Sequence, residues 1–226
     1  MPLPPPPSDA ADAPRPYVSR GGLKLEHALT TFGLEVSGLR CADLGASTGG
    51  FTDCLLRQGA QRVWAVETGY GVLDYRLRID ERVEVMERTN ALHAEPPEEP
   101  VDLVVADLSW TRQRFVVPAA RRWLGDRPEG RCISLIKPHY EVEGDEEALL
   151  EDGILPQEAS ELVLQRVLAT LPNLGARVLA TTPSPIRGSG KRRRRGRRRK
   201  RQPGAAAAGS GNIEYLALLA PEPTDS

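Results

Sequence analysis

The chain has 226 residues, 40% of them hydrophobic, which suits one globular domain with a sizeable core. No apolar run approaches the roughly 18 residues of a membrane span, and the opening MPLPPPPSDAADAPRP lacks the basic and apolar regions of a signal peptide. The net charge of −1 conceals an asymmetry: residues 191–201 (KRRRRGRRRKR) hold 10 of the 30 basic residues, leaving 20 against 31 acidic ones, a balance of −11. An acidic domain therefore carries one dense cationic block, a segment that stays solvated and attracts polyanions.

In chain order, residues 1–16 read as a flexible Pro-rich leader. SRGGLKLEHALTTFG (19–33) is a helix with Leu25, Ala28, Leu29 and Phe32 on one face and Lys24 off it. LRCADLGA (39–46) is an apolar strand ending in a turn. A helix over 50–58 follows, with Phe51, Cys54, Leu55 and Gln58 in one stripe. RVWAVET (62–68) and VEVMERT (83–89) are the second and third strands. VDLVVADLS (101–109) and GRCISLIKP (130–138) are near-continuous apolar runs, as strands covered on both faces should be, with a helix over 113–124 between them. Pro156 takes the first position of a helix carrying Leu164, Val167, Leu168 and Leu171. ARVLATTPS (176–184) and NIEYLALLA (212–220) are the sixth and seventh strands.

Strands alternating with helices predict an α/β fold with a doubly wound, mostly parallel sheet of seven strands. No helix separates the last two strands, so a hairpin joins them and the last strand runs antiparallel. Residues 188–211 form a disordered basic insert in that hairpin, within a domain spanning 17–221 and followed by a tail at 222–226. Cys41, Cys54 and Cys132 show no metal spacing and are odd in number, and the three histidines are scattered. Reduced thiols, a cytoplasmic chain and no metal site are expected.

Asp43-Leu-Gly-Ala-Ser-Thr-Gly-Gly-Phe51 closes the first strand and opens a helix. It fits the dinucleotide fingerprint G-x-G-x-x-G poorly. An acid ending the strand, followed by G-x-x-x-G-G, resembles instead the S-adenosylmethionine loop of class I methyltransferases, a Rossmann-like fold. Glycines at 45, 49 and 50 would then make room for the methionine part, with Asp43, Ala46, Ser47, Thr48 and Phe51 around it. Glu67, ending the second strand, is placed to accept from both ribose hydroxyls.

Ligands of such sheets sit at the carboxyl ends of the parallel strands. Asp107 and Lys137 end the fourth and fifth. The seventh strand runs the other way, so Glu214 at its beginning belongs to the same edge. Lys24 on the leading helix can fold over it. A buried lysine beside an acid and a second lysine has a chemical use: carboxylates orient an amine that meets the proton of a poorly nucleophilic sugar hydroxyl. A methyl sulfonium is already activated, so in-line positioning is most of the remaining task.

YVSRGGLKLEHAL, DLGASTGGFTDCLL, VETGYGVLDYRLR, ERTN, ADLSW, LIKPHYE and GNIEYL occur in order through most of residues 17–220. Together they resemble the TlyA branch of the FtsJ-like RNA 2′-O-ribose methyltransferases. The resemblance implies S-adenosylmethionine as methyl donor and ribosomal RNA or a ribosomal subunit as partner. The family's Lys-Asp-Lys-Glu tetrad falls on Lys24, Asp107, Lys137 and Glu214. Lys137 would stand nearest the reacting hydroxyl, Asp107 and Glu214 would orient and tune it, and Lys24 would help hold substrate. Asp107 also borders the cofactor, and Thr89 and Asn90 fall near the adenine. Three departures stand out. A Pro-rich leader stands where the family has a small RNA-binding domain, Glu67 stands where an Asp is frequent, and the basic insert expands a short link. Arg192, Arg193, Arg194, Arg195, Arg197, Arg198 and Arg199 in the insert, with Arg20 beside Lys24, are candidate RNA contacts.

Two alternatives stay open. Base-amine methyltransferases carry Asp/Asn-Pro-Pro-aromatic after the fourth strand. Here Asp107-Leu-Ser-Trp110 keeps the acid and the aromatic but lacks both prolines, and Trp110 can stack a base. A catalytically inactive RNA-binding or assembly factor would keep the fold without the chemistry. The haemolysin label given to TlyA-like proteins finds no membrane span or sustained amphipathic stretch here.

Overall fold

The computed structural model describes residues 16–188 and 211–222. Residues 1–15 of the leader, the seven insert arginines and the tail from 223 lie outside them. The elements follow the expected order: α1 (Gly21–Phe32), β1 (Arg40–Leu44), α2 (Gly50–Arg57), β2 (Arg62–Val66), α3 (Tyr75–Arg78), β3 (Val83–Met86), β4 (Leu103–Ala106), α4 (Gln113–Leu124), β5 (Arg131–Ile136), α5 (Pro138–Glu141), α6 (Gln157–Thr170), β6 (Ala176–Pro183) and β7 (Tyr215–Pro221). The helices not anticipated are short, α3 and α5 with four residues each and two 3-10 turns at Gly144–Leu149 and Leu171–Leu174, too few to leave a period in the sequence. Pro156 is the N-cap of α6 rather than its first helical residue.

One seven-stranded sheet runs β3-β2-β1-β4-β5-β7-β6. The pairs among β1 to β5 are parallel. β7 is antiparallel, as expected, but it lies inside the sheet between β5 and β6 and opposes both. Insertion there buries it on both faces: Leu216 through Ala220 are all buried. This is the doubly wound Rossmann-like arrangement that the sequence predicts, with its antiparallel strand moved one place inward.

Successive strand residues feed opposite cores, because their side chains alternate across the sheet. Ala42, Val104, Ala106, Cys132 and Leu219 face α4 and α6, where Trp123 and Val163 are buried. Cys41, Leu103, Val105, Ile133 and Leu216 face α1 and α2 through Leu25, Leu29 and Leu55. The N–H of Leu34 bonds the carbonyl of Leu29 at 3.0 Å while Gly33 adopts φ 62°, so α1 ends in a Schellman turn that needs glycine. Among the described residues no helix is long and apolar enough to cross a membrane.

Candidate active site

The register brings the charged residues to one edge. Leu44 pairs with Ala106, and Ile136 pairs with Tyr215. Asp107 and Lys137 therefore follow their strands directly, and Glu214 precedes its own. α1 lies over this edge, tied to β6 by His27 Nε2 and Thr182 Oγ1 at 3.0 Å. Leu25 is fully buried beneath α1, which sends the neighbouring Lys24 towards the strand ends.

Lys24 Nζ donates to Glu214 Oε2 at 2.5 Å, joining residues 190 positions apart. Lys137 Nζ is ion-paired with Asp107 and lies 3.4 Å from the Leu108 carbonyl. The side chains of Lys24 and Glu214 are 12% and 5% exposed and those of Lys137 and Asp107 10% and 26%, so the first pair is largely withdrawn from water and the second is reached by it on the Asp107 side. All four line one cleft of about 350 Å³, together with Asp43, Ala46, Ser47, Thr48 and Phe51 from the first turn. That volume lies within the roughly 300–1,000 Å³ of small-molecule sites.

The glycine turn works partly for the chain itself. Gly45 has φ 92°, and a Cβ there would stand 2.8 Å from the Asp107 carbonyl oxygen, so only glycine lets the ends of β1 and β4 close up. Gly45 and Gly50 also border the cleft. A Cβ on Gly49 would overlap Leu77, and one on Gly50 would overlap Ser19 Oγ. A side chain at either position would therefore meet the chain itself.

Asp43 is fully buried. Its Oδ2 accepts from Thr52 N at 2.9 Å and Thr52 Oγ1 at 2.7 Å, while Oδ1 has no partner among the described residues. Burial pushes its carboxyl up to about 7 against the pull of Thr52. Glu67 accepts from Ser47 N at 2.8 Å and Gly69 N at 2.7 Å. Thr68 Oγ1 also donates to it, at 3.0 Å, so of the about four acceptor sites of a carboxylate one remains for a hydroxyl. Thr89 N donates to the Glu67 carbonyl at 3.0 Å, placing it beside that acid; Asn90 is exposed just beyond. A buried orphan acceptor, a half-buried acid and a cleft of this size fit a nucleoside with a charged amino-acid arm, as S-adenosylmethionine is. His139, next to Lys137, is held neutral: burial and then the Lys137 charge lower its pKa to about 4.

Arg20 lines the cleft. Trp110, one residue after the cleft-lining Ser109, does not itself line the cleft; it is 65% exposed at φ 54°, with its ring 6.3 Å from that of Tyr140. Three residues not singled out in the sequence also belong here. Ser19 and Arg187 line the cleft. Buried Asn212 accepts from Leu155 N at 2.8 Å, donates to the Gly153 carbonyl at 2.9 Å and so anchors the approach to Glu214. These three sit in turns, where no periodicity flags a residue. Among the described residues no group of histidine, cysteine and carboxylate side chains could hold a metal ion.

Several known proteins resemble this chain over much of its length. The YqxC protein of Bacillus subtilis is 37% identical over 208 residues, covering 90% of this chain and 65% of its own length. The 16S/23S rRNA (cytidine-2′-O)-methyltransferase TlyA of Mycobacterium tuberculosis is 48% identical over 133 residues, covering 58% of this chain and 49% of its own. The chain thus spans between about half and two thirds of these relatives. A solved structure from Streptococcus thermophilus, named as a hemolysin, superposes with a TM-score of 0.78 at 35% identity over 94% of this chain and 70% of that one. The model of the FtsJ-like methyltransferases matches residues 17–193, which hold the glycine turn, Lys24, Asp107 and Lys137, and on that match the chain belongs to the FtsJ-like methyltransferase family.

Proposed function

We propose that this protein methylates ribosomal RNA at a ribose 2′-hydroxyl. The observation that carries the reading is the meeting of two lysine–carboxylate pairs, Lys24–Glu214 and Lys137–Asp107, in the cleft that the glycine turn also lines. S-adenosylmethionine, held by Glu67, Asp43 and the 45–50 turn with Thr89 and Asn90 near its base, would supply an activated methyl group. Every other task falls to the chain. Asp107 and the Leu108 carbonyl fix Lys137 Nζ, which meets the ribose oxygen and aligns its lone pair. The hydroxyl proton would pass to the Asp107 carboxylate, since the Lys137 ammonium has no acceptor site, as the ribose oxygen bonds the methyl carbon and the carbon–sulfur bond breaks with its electron pair going to sulfur. Lys24 holds Glu214 and keeps that acid from competing for Lys137. Positioning is the main contribution, since the cleft holds the reacting groups in one geometry.

A base amine would need an acceptor beside its nitrogen but no second lysine and no Glu214, so the two pairs favour the ribose. Trp110, exposed next to the cleft-lining Ser109, would stack a base. The seven insert arginines, outside the described residues, would add phosphate affinity to an acidic domain.

Transfer of labelled methyl from S-adenosylmethionine to separated ribosomal subunits and naked ribosomal RNA tests the reading. Label should resist alkali as a 2′-O-methyl dinucleotide. Lys137→Ala should lower the rate by about 10²–10⁴-fold with cofactor affinity little changed. Label in a base would move the activity to base methylation. Cofactor binding without transfer to any of these RNAs would leave a binding protein on a methyltransferase frame.

A further inference from the structure

Most arginines of the described chain are spent on neighbouring carboxylates, as Arg57 is on Asp53 and Arg166 on Glu146. The two that line the cleft are not: among the described residues neither Arg20 nor Arg187 has a carboxylate within 4.0 Å. Inside the cleft Lys24 is balanced by Glu214 and Lys137 by Asp107. The two guanidinium groups are therefore a surplus of positive charge at the mouth of a site on an acidic domain, and a surplus of that kind calls for an anion.

Their places differ. Arg20 caps α1 above the glycine turn, where Gly21 lies against Phe51 and Gly50. Arg187 stands in the connection from β6 to β7, and the residue after it, Gly188, touches the Glu214 carboxylate. β7 lies three strands from β1, about 14 Å at the usual strand spacing. Arg187 is thus on the far side of the tetrad from the turn and from Glu67. Its guanidinium is braced but not consumed: Nη1 donates to the Gly211 carbonyl at 3.2 Å, and no other bond to the described residues engages its donors. A braced planar fork with free N–H groups matches a phosphate.

We propose that Arg187 binds a backbone phosphate of the RNA strand beside the ribose presented to Lys137, and so sets which nucleotide reaches the tetrad. This rests on the RNA reading above. The phosphate is assigned to substrate rather than the anion to the cofactor's carboxylate, because Arg187 stands beyond Glu214 and away from the turn.

The full-length protein is titrated with a fluorescent single-stranded oligoribonucleotide across a series of salt concentrations, with S-adenosylmethionine present. Wild type, Arg187→Gln and Arg187→Lys are compared, and cofactor affinity is measured separately. Loss of one phosphate contact should make the slope of log K against log salt shallower by about 0.7 in Arg187→Gln and weaken binding about tenfold. Arg187→Lys should keep the slope and lose only part of the affinity, which excludes misfolding as the cause. In methyl transfer to ribosomal RNA the Gln variant should raise KM more than it lowers kcat. An unchanged slope in Arg187→Gln overturns the assignment, and so does a loss confined to cofactor binding, which would give the arginine to the cofactor carboxylate. The proposed activity fails separately. RNA binding whose slope drops in Arg187→Gln, without ribose methylation by wild type, would sink the enzyme and keep the phosphate site. No RNA binding by wild type would sink both.

Discussion

A Cβ on Gly188 would overlap Glu214 Oε1, the oxygen not engaged by Lys24. The backbone there does not require glycine, since its φ lies outside the left-handed region. Gly188→Ala should therefore fold normally and act by pushing the carboxylate off Lys24. A shift of about 1 Å at a reacting site can cost on the order of 10²-fold in rate, so kcat should fall by up to that factor with the melting temperature nearly unchanged. Adding Glu214→Asp, which withdraws the carboxylate by one methylene, should recover part of the loss. Asp43 gives a pH-dependent expectation. Its folded pKa of about 7 exceeds the ordinary value of 3.8, so the folded protein keeps a proton that the unfolded chain has released. That contribution is complete below pH 3.8 and is lost as pH rises towards 7. Asp43→Asn keeps an acceptor for Thr52 and carries no charge. Its melting temperature should gain on wild type as pH rises from 4 to 8, while cofactor affinity falls. A difference that stays flat across that range would mean that burial does not hold Asp43 protonated.

At the scale of elements, β7 decides the site. It is buried on both faces and paired on both edges, so each of its side chains is enclosed by sheet and helix together. Leu216, fully buried two residues after Glu214, should cost about 2–5 kcal/mol on truncation to alanine, read as a lower denaturation midpoint with an unchanged m-value. α4 and β5 are joined by a buried polar link. Ser134 Oγ donates to Gln113 Oε1 at 2.7 Å, and Gln113 N donates to Glu141 Oε1 at 2.7 Å. Both bonds lie just below Lys137 and help fix the end of β5. The strands and long helices were legible because a sheet covered on both faces demands continuous apolar runs and each long helix a 3.6-residue stripe. The inner place of β7 was not, because a hairpin in sequence does not say which of its strands docks against β5.

For the whole molecule, charge is the organising quantity. The domain without residues 191–201 has a balance of −11, and those residues enter the chain beside the cleft, between Gly188 and Gly211. Gly188 N donates to the Asn212 carbonyl at 2.9 Å, so the two sides of the connection are already joined at its base. Deleting residues 190–209 should leave the sheet and cofactor affinity intact, weaken RNA binding, and flatten its salt dependence by more than Arg187→Gln does. An unchanged salt slope would mean that the block does not meet RNA phosphates.

By itself the sequence determined the layered α/β fold, the direction of its last strand and the three charged residues Asp107, Lys137 and Glu214 at one edge. Each follows from local rules: periodicity of burial, chirality of crossovers and the fact that strand ends collect on one side of a parallel sheet. Only the tertiary structure decided how those residues combine. It paired Lys24 with Glu214 and Lys137 with Asp107, brought Arg187 to the cleft with no acid beside it, and spent Gly49 and Gly50 on packing. Pairing and close approach depend on distances between segments far apart in the chain, and those distances exist only once the sheet has closed.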